Sequence, residues 1–187
     1  MEETVESSGF DALVSQLVGP LSGAGRGVCA VLPSAWVARI EARVIDMKSV
    51  RPDPTAVKLA RAYGLEPKRV TIALAQGRGL GPSMPGRLVV RCTAGNLFDG
   101  GIVFEGDEAL PLPKTPQAWL EGLCAALEAS LGWAPDLALT GPSEAGPVAT
   151  IVARCGAGAP TPERWRAPAS GTDKPMIFEA GFRQADL

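Results

Sequence analysis

Trp119, Leu120, Leu123, Cys124, Leu127 and Leu131 fall on one stripe of helical period, with Thr115 and Pro116 before it and Gly132 after it. Threonine is a good N-cap, proline is tolerated at the first helical position, and glycine accepts the left-handed backbone that ends a helix. These signals predict a helix over 115–131, the best defined in the chain. A helix with one apolar face must lay that face on another element, and short runs of β character surround it. Residues 28–32 form a continuous apolar stretch that suits a buried strand. Residues 137–140 and 148–155 read as a hairpin around the Gly- and Pro-containing turn 141–147. The expected fold class is therefore α+β (or α/β). We expect a single domain over 1–155, with a mainly antiparallel sheet packed by helices near 9–20, 35–50, 54–64 and 115–131.

The other elements follow from similar signals. Phe10, Leu13, Val14, Leu17, Val18 and Leu21 make a second helical stripe. Ser8 and Asp11 supply a start signal for it, and Gly19 with Pro20 a stop signal. Ser34 can cap a helix running to about residue 50, with Trp36, Ile40, Val44 and Met47 inward, although β-branched residues leave part of that span open to a strand. Asp53 and Pro54 form an N-cap and first-turn pair for a helix that Gly64 ends. Residues 87–92 and 101–105 read as antiparallel strands joined through Asp99 and Gly100. From Gly156 to the end at 187 the composition shifts to Ala, Pro, Gly and Thr, the signature of a partly flexible tail, in which Met176, Ile177, Phe178 and Phe182 are apolar enough to dock.

Charge supplies the main functional clue. Residues 51–91 carry eight basic side chains (Arg51, Lys58, Arg61, Lys68, Arg69, Arg78, Arg87, Arg91) against two acids (Asp53, Glu66), a net of +6 in a chain whose formal total is −2. The rest of the chain therefore sums to −8. A cationic block on an anionic background attracts phosphate, nucleic acid or an acidic partner. Lys68, Arg69, Arg78, Arg87 and Arg91 are the candidate binding residues. Within the block, Ala60 is followed by Gly64 at +4, Leu65 at +5, Val70 at +10 and Leu74 at +14. This local pattern resembles the helix-turn-helix signature, and the resemblance implies a recognition helix from Pro67, with Lys68, Arg69 and Arg78 facing phosphates. The alternation of Val70, Ile72 and Leu74, and the Gly/Pro loop after it, point instead to a strand over 70–75 paired with 87–92.

Several chemistries are closed. The chain has no histidine, which removes Ser-His-Asp and Cys-His catalysis and two-His metal sites. Cys29, Cys92, Cys124 and Cys155 lie far apart in sequence, form no Cys-x-x-Cys pair, and read as reduced, mostly buried thiols of a cytoplasmic protein. The glycines of 77–86 lead into a strand and not a helix, so they read as a backbone loop and not a phosphate cradle. Glu105, Asp107 and Glu108 read as a solvated acidic turn in preference to a cation site. Ser83 and Ser143 lack the second glycine of a nucleophile elbow. Neither a signal peptide nor a membrane span is expected, and no motif specifies a cofactor, a metal or a catalytic residue. The favoured function is a non-catalytic binding or accessory protein that docks an acidic protein partner or anionic ligand through 51–91. An enzyme without histidine chemistry acting on an anionic substrate, and a DNA-binding regulator built on 55–76, are the alternatives. Association with a second copy of the chain is left open.

Overall fold

The computed structural model describes residues 3–161, 167–168 and 174–179. It is an α+β protein, with five helices and three sheets among the described residues. Helix α1 (Glu3–Ala24) leads to strand β1 (Val28–Pro33), helix α2 (Ser34–Ile40) and the short strand β2 (Ile45–Asp46). Helices α3 (Pro54–Tyr63) and α4 (Pro67–Ala75) follow, then two small hairpins. The first hairpin is β3 (Val89–Cys92) with β4 (Gly95–Phe98), the second β5 (Val103–Glu105) with β6 (Glu108–Leu110), and a 3-10 turn (Asp99–Gly101) joins them. Helix α5 (Pro116–Leu131) precedes the long hairpin of β7 (Asp136–Ser143) and β8 (Gly146–Cys155), and β9 (Ala167–Pro168) and β10 (Met176–Glu179) complete the described chain.

The largest sheet has the order β10-β1-β7-β8-β9. Its β1–β7 pair is parallel and its other pairs are antiparallel. Side chains alternate across it as the pleat requires. Ala30, Leu32, Leu137, Leu139 and Ala153 face a core shared with Leu13, Leu17 and Leu21 of α1 and Leu120, Leu123, Cys124 and Leu127 of α5. Phe10 of α1 meets Trp119 of α5 edge-to-face, with ring centroids 6.1 Å apart. Cys29, Val31, Ala138 and Ile151 point to the opposite face, where Met176 and Phe178 of β10 pack. A second cluster joins Ala56 and Ala60 of α3, Val70, Ile72 and Ala73 of α4, and Leu88, Val90, Ile102 and Ala109 of the hairpin region.

In the stripes of α1 and α5, Leu13, Leu17, Leu21, Leu120, Leu123, Cys124 and Leu127 are buried and Phe10, Val14, Val18, Trp119 and Leu131 are half-buried against them, and several local signals hold. The Asp53 carboxylate accepts from the Thr55 and Ala56 amides at 2.8 and 2.9 Å. Gly64 and Gly132 end α3 and α5 in the left-handed region (φ 66° and 73°). Thr115 stands at the N-cap of α5, although its hydroxyl makes no cap bond. The expected 137–140 and 148–155 hairpin is present and longer at both strands.

Other boundaries differ for identifiable reasons. Helix α1 runs through Pro20, because Leu21 beyond it is fully buried with Leu13 and Leu17, and that packing outweighs a lost backbone bond. The helix begins at Glu3, so Ser8 and Asp11 lie within it and do not start it. Helix α2 stops at Ile40 and not near 50. The Arg43 amide donates to Ala38 O (2.8 Å), Ala42 adopts φ 54°, and the chain enters β2 with Val44 exposed. Strand 89–92 pairs with 95–98 and not with 101–105, because the chain reverses at Thr93 and Ala94, well before the Gly106 turn that reverses β5. Of the tail from Gly156, residues 162–166, 169–173 and 180–187, with Phe182, lie outside the described residues; Met176–Glu179 docks as an edge strand on β1. Among the described residues no helix is long and apolar enough to cross a membrane.

Leu123 is fully buried between α5 and the sheet. Leu123→Ala is expected to lower unfolding stability by about 2–5 kcal/mol, the usual cost of truncating a core leucine, read from the midpoint of urea denaturation.

Candidate functional site

Residues 70–75, expected as a strand, are helical: they are most of α4. Pro67 opens that helix, and the tight link through Gly64 sets it against α3, so the helix–turn–helix connection forms. The strand expectation fails because α4 is covered on more than one side. Val70, Ile72 and Ala73 are all buried, so the apolar residues no longer mark a single helical stripe. The partner proposed for that strand, 87–92, is occupied otherwise. The Gly-rich loop runs beside it, with the Gly81 amide donating to Val89 O (2.8 Å) and the Arg91 amide to Gly79 O (2.8 Å). The Ser83 hydroxyl accepts from the Val89 amide (2.9 Å) and donates to Val89 O (3.1 Å). Gly77 is required by close approach. A Cβ there would lie 2.2 Å from Val90 Cγ1 and 2.6 Å from Arg91 O. The glycines of this loop serve backbone packing.

The eight cations of the block divide into two groups. Lys68, Arg69 and Arg87 are engaged by the fold. The Lys68 ammonium donates to Met47 O at 2.9 Å, tying α4 to the β2 region. Arg69 Nε donates to Asp99 Oδ2 at 2.7 Å, and the terminal nitrogen donates to the same oxygen. The guanidinium also lies over the rings of Phe98 and Phe104, 5.5 and 4.8 Å from their centroids. Arg87 donates to Glu144 O at the tip of the β7–β8 hairpin. By contrast Arg51, Lys58, Arg61 and Arg78 are exposed, and their side chains make no hydrogen bond or ion pair among the described residues. Arg91 is exposed too, and only its Nε is used, donating to Leu80 O at 3.0 Å.

Placement within the block follows from the elements. Lys58 and Arg61 are three positions apart on α3 and share its outer side, with Arg51 just before the Asp53 cap. Arg78 and Arg91 are backbone neighbours, the Arg78 amide donating to Arg91 O at 2.9 Å. The expected common face of Lys68, Arg69 and Arg78 is not formed. Within α4 Ala75 is exposed, and Lys68, Arg69 and Thr71 are half-buried.

The remaining candidates resolve as structural pairs or buried thiols. Glu105 and Glu108 face Arg39 at 2.5 and 3.8 Å, and Asp107 meets Lys48 at 2.5 Å, so the acidic turn is ion-paired and not merely solvated. The bond to Asp107 holds the Lys48 ammonium above its usual pKa. No group of three or more His, Cys, Asp or Glu side chains suited to a metal ion occurs among the described residues. Burial, with Asp136 nearby, pushes the Cys29 thiol up to about 12. Burial also raises Cys92. Buried thiols of this kind are protonated at neutral pH and are poor nucleophiles.

What the charge pattern did not show is the carboxylate that takes Arg69. Asp99 is fully buried in left-handed backbone (φ 49°). Burial raises its pKa, and Arg69 acts in the opposite direction. An aspartate beside two glycines reads as a turn residue, and nothing local to it indicates burial. Comparison with protein-family models and with curated protein sequences finds no match for this chain.

The Arg69–Asp99 pair yields a double-mutant test. Arg69→Met alone leaves Asp99 buried without its cation and is expected to cost about 3–5 kcal/mol. Adding Asp99→Asn removes the uncompensated charge, so the double variant should be more stable than Arg69→Met. Urea denaturation of the cycle measures this, and strict additivity would show that the pair is not coupled.

Proposed function

We propose that the protein is a non-catalytic binding protein that docks an acidic protein segment through the cations of its 51–91 region. The observation that carries this reading is the set of exposed cations whose side chains have no partner among the described residues, Arg51, Lys58, Arg61 and Arg78, joined by Arg91. Unpaired surface charge of one sign raises the encounter rate with an oppositely charged partner and selects against like-charged ones. In this reading Arg78 and Arg91 are contact residues, while Lys68, Arg69 and Arg87 hold the surface in place.

The DNA-binding alternative draws support from the helix–turn–helix connection, since a recognition helix needs residues 70–75 to be helical. Against it, a recognition helix needs an open face of polar side chains, and on α4 Lys68 and Arg69 are half-buried and drawn into bonds to Met47 O and Asp99. For the enzyme alternative, the absence of histidine and the raised thiols leave few groups able to carry a proton at neutral pH. Docking is the reading that uses the exposed cations and asks nothing of the groups that are engaged.

Fluorescence anisotropy with a labelled oligoglutamate peptide, run beside a labelled DNA duplex across a salt series, tests the proposal. The peptide should bind, and its affinity should fall as salt screens the charges. Lys58→Glu with Arg61→Glu, and Arg78→Glu with Arg91→Glu, should each weaken binding by about tenfold or more while leaving the melting temperature close to wild type. Equal peptide binding by wild type and both variants would overturn the reading. Tight duplex binding, with a salt slope of about 0.9 per neutralised phosphate, would favour the DNA alternative.

A further inference from the structure

We propose that Met84 is the apolar contact of the docking surface and that the segment it receives is an acidic peptide with a bulky apolar side chain beyond its carboxylates, a statement of partner composition that rests on the docking reading above. Three large apolar side chains are exposed among the described residues, Val44, Val57 and Met84, and Met84 is the most open at 51%. Two of the three stand beside cations of the block. Val57 precedes Lys58 on α3 and lies one turn before Arg61. Met84 faces Arg87 across a closed reverse turn.

The exposure of Met84 is built into the turn that carries it. The Arg87 amide donates to Met84 O at 2.8 Å and the Met84 amide to Arg87 O at 3.0 Å, which closes a two-residue hairpin. Pro85 fixes φ at the first tip position, and Gly86 supplies the positive φ (75°) needed at the second. The tip is tied to α3, because the Gly86 amide donates to Tyr63 O at 2.6 Å, and Arg87 is tied to Glu144 O. A side chain held out by a pinned turn costs little ordering entropy when a partner covers it. Pro82 and Pro85 are exposed next to it and widen the apolar patch. The charge also changes along this surface. Lys58 and Arg61 lie on α3, whereas Glu66 stands three residues past Tyr63 and Glu144 beside Arg87, both exposed. A partner's carboxylates are attracted over α3 and repelled at the turn, where an apolar residue is accepted instead. The thioether of Met84 is polarisable and unbranched, which suits an aromatic or long aliphatic side chain. A uniform polyanion would run its charge against Glu66 and Glu144 and leave Met84 in water.

Fluorescence anisotropy with two labelled peptides of equal charge is the test: oligoglutamate, and oligoglutamate with a phenylalanine at each end. Wild type should bind the phenylalanine peptide about tenfold tighter, because the ring and Met84 remove apolar surface from water together. That ratio should hold as salt rises, while both affinities fall. Met84→Gln should bring the phenylalanine peptide down to the oligoglutamate value with a melting temperature close to wild type. Equal affinity of wild type for the two peptides, or a gain that survives Met84→Gln, would sink the inference. Weakening of oligoglutamate binding by Lys58→Glu with Arg61→Glu would in that case leave the docking reading standing. Failure of wild type to bind either peptide would sink both. Self-association of wild type in sedimentation velocity that Met84→Gln abolishes would make the occupant a second copy and overturn the inference as well.

Discussion

The carboxylate of Asp99 sits in a place from which water is excluded, on a turn whose three residues all have positive φ (49°, 69° and 81°). Such backbone persists only where the surroundings hold it. Arg69 does part of that work, with two donors on one carboxylate oxygen and its flat guanidinium lying over Phe98 and Phe104. The glycines do the rest by permitting contact. A Cβ at Gly100 would lie 2.7 Å from Ala73 O of α4, and one at Gly101 would lie 2.4 Å from Leu112 Cδ1. Leu97 and Leu112 belong to the large core, Ile102 to the smaller one, so this turn is where the two apolar clusters meet. The other carboxylate oxygen of Asp99 is buried without a hydrogen-bond partner. A charge left in that position depends on its one cation, which makes the pair a requirement of the local fold and not an added source of stability.

This dependence explains which parts of the chain can be read in advance. Asp53, Gly64, Pro116 and Gly132 act through bonds and dihedrals inside their own elements, so their residue types carry the information. The stripe of α5 is legible because one side of that helix is buried and the other is wet. Helix α4 is different. Ile72 and Ala73 are buried along with Val70, while Lys68 and Arg69 are drawn into bonds with distant segments, so no clean polar face remains to give away the period. The pairing of the small hairpins is illegible for a related reason. It depends on which of several turn signals closes first, and Thr93-Ala94 does so without glycine at either position.

The candidate binding residues fail or survive by the same distinction. A count of charge treats Arg69 and Arg78 alike, yet one is held over aromatic rings against a buried acid and the other is exposed without a partner among the described residues. Nothing in the residues flanking Arg69 separates them, because its partner lies thirty positions away. Lys58 and Arg61 belong to the block without being among the candidate binding residues, although their spacing on a capped helix is sufficient to place them together on its outer side.

Among the described residues the acids of this chain do not neutralise its basic segment, and one reason lies in the residues just ahead of it. Arg39, Arg43 and Lys48 take Glu105, Glu108, Glu41 and Asp107. Glu41 is further held by the Trp119 indole, and Arg43 by Pro111 O. Glu41, Glu105, Asp107 and Glu108 are thus paired with cations from 39–48, and Asp99 is paired with Arg69. Asp53 is occupied with two backbone amides at the start of α3. Each of these local pairings removes an acid that could otherwise fold back on α3 or on the Gly-rich loop. The net +6 of 51–91 is therefore reduced on the surface by the engaged Lys68, Arg69 and Arg87, but its outward part is not quenched by pairing with these acids. Positive potential survives where Arg51, Lys58, Arg61, Arg78 and Arg91 stand, and that remainder can act on a partner outside the molecule.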